Sequence, residues 1–80
     1  MALLLFGIDP ESDGGDCPGV WVDTDNGDMV VQGWNADAET QTNCRADNAC
    51  PDTESIVRVP ARTAAMIRRA SDVAEHAAAR

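Results

Sequence analysis

Eighty residues with a formal charge of −8 confine the chain to a single small domain, 1–80, whose core alone supplies only ~3–5 kcal/mol. Twelve of the fourteen acids lie in residues 1–55 against Arg45 alone, giving −11, while residues 56–80 carry five arginines against Asp72 and Glu75, giving +3. A field this negative repels phosphate, so no direct nucleic acid is expected, and basic proteins become the natural partners.

Taken in chain order, residues 3–8 (LLLFGI) read as a short buried strand or a segment docked on the core. The stretch MALLLF is too short for a signal peptide and lacks a positive leader, and no run reaches the ~20 apolar residues of a membrane span. A soluble cytoplasmic protein is expected. Residues 9–19 (DPESDGGDCPG) concentrate Asp, Gly, Pro and Ser and form a loop. Val20–Val22 and Met29–Trp34 are predicted strands, rich in β-branched and aromatic residues.

Between them lies DTDNGD, which raises the choice between a calcium loop and a tight turn. A calcium loop of the helix–loop–helix kind needs glycine at its sixth position and a bidentate Glu at its twelfth. Counted from Asp23, glycine stands fifth and Trp34 stands twelfth. Asn26-Gly27 between apolar runs is instead a hairpin signal, because both residues tolerate the positive φ that the turn demands. A two-residue turn and a three-residue turn with a bulge both fit. In the two-residue register Trp21, Val30, Gln32 and Trp34 share one face, and Val20, Val22, Met29 and Val31 the other.

Residues 35–54 are predicted as a polar loop, unusually long for a small domain. Ser55–Val59 reads as a third strand. Pro60 then opens a helix whose stripe runs through Thr63, Met66, Ile67, Ala70, Val73, Ala74 and Ala77. The expected architecture is α+β: a small antiparallel β-sheet, the hairpin plus a third strand, packed against one C-terminal helix. A lone helix covers one sheet face. The other, with its tryptophans, is the expected contact surface, since aromatic residues dominate interface hot spots. The competing expectation has the N-terminal segment or the long loop folded over the tryptophans.

Site chemistry is sparse. Cys17, Cys44, Cys50 and His76 are zinc-ligand types, but five residues separate Cys44 from Cys50, where zinc motifs place roughly two to four. An odd cysteine count also argues against a secreted disulfide framework, although a Cys44–Cys50 bridge would close a small loop under oxidation. A cysteine nucleophile needs a positioned base, and the one histidine lies far along the chain. No cofactor and no catalytic residue are expected.

At GIDPESDGGDCPGVWVD, GDMVVQGW and ESIVRVPARTAAMI the chain resembles small acidic actinobacterial proteins of unknown function, commonly encoded beside helix-turn-helix regulators of the Xre type. The matching positions include Gly7-Ile8-Asp9-Pro10, Cys17-Pro18, Gln32-Gly33-Trp34 and Val57-Arg58-Val59-Pro60-Ala61-Arg62. Its strand–strand–loop–strand–helix order is also similar to that of another small domain family from the same gene neighbourhoods. The resemblance implies association with a regulator, in a toxin–antitoxin-like or developmental circuit. The segment NCRADNACPDT departs from the pattern, so no role for Cys44 or Cys50 carries over.

The expected function is therefore a non-enzymatic accessory protein that binds a basic protein partner, such as a helix-turn-helix regulator. Trp21, Val30, Gln32 and Trp34 would supply the contact, with Asp13 and Asp16 of the acidic loop beside them. Self-association as a homodimer through the same sheet is the simplest variant. The alternative is a small metal-binding module, with zinc on the cysteines and His76 or weak calcium at the hairpin tip.

Overall fold

A computed structural model describes residues 2–11 and 17–79. Three strands, β1 (Leu3–Ile8), β2 (Gly19–Asp23) and β3 (Met29–Gln32), form an antiparallel sheet in the order β1-β2-β3. Beyond it come β4 (Trp34–Asn35), helix α1 (Ala38–Asp47) and β5 (Val57–Arg58), with β4 and β5 pairing as a separate two-stranded ladder. A 3₁₀ turn at Ala61–Thr63 leads into helix α2 (Ala64–Ala78). The architecture is α+β, a three-stranded antiparallel sheet against a C-terminal helix.

The β2–β3 hairpin turns through residues 24–27. Asp23 N–H donates to Asp28 O at 2.8 Å, and Gly27 N–H donates to Asp23 O at 2.8 Å. The polar side chains build the turn: Asp23 Oδ1 accepts from Asp25 N–H at 3.0 Å and Asn26 Oδ1 from Asp28 N–H at 2.9 Å. Such two-residue reach is what Asp and Asn contribute to turns. Gly27 closes the loop at φ +86°. The loop therefore holds four residues rather than two or three. That moves the partner of Trp21 to Val30 and of Val22 to Met29. A slip of two residues leaves Trp21, Val30 and Gln32 on one predicted face and Val20, Val22, Met29 and Val31 on the other, because the strand repeat is two.

Alpha-helix α2 lies across the sheet and buries Ala70, Ala74 and Ala77, with Thr63 buried just ahead of it. Small side chains on this stripe let the helix settle close to Val20 and Val22, which are 1% and 0% exposed. Phe6, Met66, Ile67 and Val73 close the sides of the cluster. The predicted stripe is thus the buried one.

Three of the strand expectations differ from the structure. The third strand of the main sheet is β1, an outer strand whose three leucines are each nearly half exposed. It does not lie over the tryptophans but extends the sheet beside β2. Ser55–Val59 contributes only Val57–Arg58, paired with Asn35 and Trp34. The run Met29–Trp34 breaks at Gly33, where Arg58 O lies 2.8 Å from the place a Cβ would occupy. The chain leaves one sheet there and enters the other.

Residues 35–54 are not a loop throughout, since α1 occupies half of them. Its start is a side-chain cap: Asp37 Oδ1 accepts from Thr40 N–H at 2.8 Å, a standard way to satisfy an orphan helix donor. Glu39 in the first turn and Arg45 in the last suit the helix dipole. No residue of α1 is buried, so the absent apolar stripe hid it. Gln41 Nε2–H donates to Ala36 O at 2.8 Å, and Arg58 Nη2–H donates to Thr40 Oγ1. The Thr40 amide holds the Asp37 carboxyl below its ordinary range. A folded value that is lowered means the cap is present above the usual carboxylate range and is lost as pH falls through the lowered value. Asp37→Ala is expected to speed amide exchange in the first turn of α1 while leaving exchange in β2 unchanged.

Candidate protein-docking face

The side of the main sheet away from α2 is laid out by the register as three rows. Leu5, Trp21 and Val30 form the middle row. On the hairpin side, Leu3 pairs with Asp23, and Asp23 is bonded across the turn to Asp28. On the other side, Ile8 pairs with Gly19 and Gly19 with Gln32. Strand alternation places Leu3, Leu5, Trp21, Asp23, Val30 and Gln32 on one face. The register shift between Leu5 and Gly7 brings Ile8 to it opposite Gly19, and Asp28 stands one position before β3.

Much of the face is apolar and open. Leu3, Leu5, Ile8 and Val30 are 45%, 49%, 50% and 41% exposed. Trp21 is half-buried because its indole lies along Gly19, with Cη2 2.9 Å from where a Cβ on that residue would stand. The glycine makes a flat bed for the ring. Clustered exposure of this kind marks interaction sites, whereas single exposed side chains are commonplace.

Asp23 and Asp28 stand opposite each other at the hairpin end. Directly opposed like charges on neighbouring strands are destabilising, and the Asp23 carboxylate accepts from the Asp25 turn amide. At the far end Gln32 Nε2–H donates to Cys17 O at 3.3 Å, tying the loop before β2 to β3. Beyond β1, Asp9 is tied to the 3₁₀ turn that precedes α2. Asp9, 1% exposed, receives Arg62 Nε–H on Oδ1 at 2.7 Å and Arg62 Nη2–H on Oδ2 at 2.6 Å. Glu11 adds a weaker contact at 3.4 Å. The Asp9 hydrogen bonds raise the Arg62 guanidinium further above its ordinary value, and the pair fixes Ile8 at the corner of the face.

The structure thus brings Trp21, Val30 and Gln32 together. Trp34, 38% exposed, stands apart from them in β4, opposite Arg58. Asp13 and Asp16 lie outside the described residues. Leu3, Leu5 and Ile8 were not foreseen on this face: an unbroken apolar run reads as buried on both sides, and no alternation reveals that one side is open. The candidate metal ligands are scattered. Cys44 and Cys50 line a shallow cavity of about 450 Å³ with Asn48, Glu54 and Ser55. Cys17 sits at the foot of β2, and His76 is on the exposed side of α2. Among the described residues no three His, Cys, Asp or Glu side chains gather to hold a metal, and no helix is long and apolar enough to cross a membrane. No protein-family model matches the chain, and neither the curated proteins nor the solved structures supply a match.

Proposed function

We propose that the chain is a non-enzymatic accessory protein of the cytoplasm that docks a basic protein partner on the open face of its sheet. A helix-turn-helix regulator, of the kind encoded beside the proteins this chain resembles, is a partner with the right charge. The observation that carries the reading is the row Leu5–Trp21–Val30, an aromatic centre flanked by exposed aliphatic groups and edged by Asp23 and Asp28. The apolar centre would supply affinity, and the charge of −8 would speed the encounter. The test is affinity capture with the wild-type chain and with Trp21→Ala and Val30→Asp, each shown by circular dichroism to keep its helix content. The expected result is a basic protein, identified by mass spectrometry, recovered by wild type and lost with both variants. Equal recovery by all three chains would overturn the reading.

A further inference from the structure

We infer that the occupant of this face is a single amphipathic helix from the basic partner, laid along β2 with a cationic side chain over Asp23 and Asp28. The inference rests on the docking role proposed above and narrows it to one kind of ligand. Width comes first. Three strands at their normal spacing span about 10 Å, the diameter of one helix with its side chains. The molecule already shows this match on its other side, where α2 alone reaches all three strands. Length agrees as well. The three rows lie two residues apart along the strands, so they cover about 13 Å, which a helix crosses in about nine residues. A helix with Arg or Lys at one position and apolar residues four and eight positions further on would meet the rows in turn. The cation would relieve the Asp23–Asp28 opposition, and the apolar residues would cover Trp21, Leu5 and Val30, then Ile8.

A second copy of this chain fits poorly. Its α1 buries nothing and carries no apolar stripe, and the stripe of its α2 is already committed to Val20 and Val22. Sheet-to-sheet stacking would bring two bodies of charge −8 together, which like charge opposes.

The experiment uses the full 80-residue chain and three synthetic 14-residue peptides: one with the leucine stripe and arginine at the row-one position, one with glutamate there, and one with the stripe scrambled. Calorimetry should show the arginine peptide binding about tenfold or more tighter than the glutamate peptide, with the preference shrinking at high salt. The peptide should gain helix on binding. Asp28→Asn, at an exposed position, should remove most of the preference, and Val30→Asp should abolish binding of both striped peptides. Equal affinity for the two charges, amide shifts centred away from β2, or binding without gained helix would overturn the inference. So would sedimentation showing that the face is filled by a second copy. If the peptides fail while capture of a partner still depends on Trp21 and Val30, the helical occupant falls and the docking role stands; if that dependence is also absent, both fall.

Discussion

Gly27→Ala is expected to cost roughly 2–4 kcal/mol, most of the stability a chain of this size holds, from two separate sources. Gly27 sits at φ +86°, where a Cβ crowds its own backbone. An added Cβ would also stand 2.6 Å from Ala74 O and 2.9 Å from Ala78 N, the backbone of α2. Backbone cannot swing aside as a side chain can. Gly7 makes the contrast: a Cβ there would meet the end of Met66 at 2.7 Å, and a methionine terminus re-orients at low cost, so Gly7→Ala should be mild. Asparagine tolerates positive φ yet still carries a Cβ, so Gly27→Asn should remain strongly destabilised. Urea midpoints for the three variants check this, and full recovery with asparagine would assign the whole loss to φ.

The second large effect belongs to the Asp9–Arg62 pair. Arg62→Ala takes both guanidinium hydrogen bonds from a carboxylate that is 1% exposed and leaves it the Glu11 N–H at 3.2 Å. Removing the charged partner of a buried ion costs up to about 3–5 kcal/mol. Asp9→Ala does less harm, because the Arg62 side chain is 40% exposed and can return to water. The double variant should therefore be more stable than Arg62→Ala alone, an ordering that simple loss of contacts does not produce. Acidification should narrow the gap between Arg62→Ala and wild type, since a protonated carboxyl tolerates burial. Denaturation curves at neutral and acidic pH measure both points. A double variant less stable than Arg62→Ala would refute the stranded-charge account.

What the sequence reveals and conceals follows the range of the forces involved. The α2 stripe was legible because helix periodicity and burial coincide at Ala70, Ala74 and Ala77. The division of the hairpin into two faces was legible although the turn length was not, because Trp21 keeps its side under any even slip. Trp34 escaped that logic once Gly33 handed the chain to a second ladder, which only the approach of Arg58 explains. Helix α1 has local signals, Asp37 and Thr40 at cap spacing with Glu39 in the first turn, but no apolar stripe to draw attention to them. Asp9 and Arg62 stand 53 positions apart, and nothing in either neighbourhood announces their pairing. The outward leucines of β1 were hidden by the uniformity of LLLFGI.

The pairing of β1 with β2 shifts between Leu5 and Gly7, and Phe6 packs against the core there. An uncharged outer strand invites edge-to-edge growth, and proteins commonly blunt such margins with an irregularity. Here the shift leaves only Leu3–Leu5 in straight register before the margin twists away. Fewer regular rungs remain for edge-to-edge pairing, while the leucines stay in the open. The molecule can offer greasy side chains to a visitor without offering its backbone to its siblings.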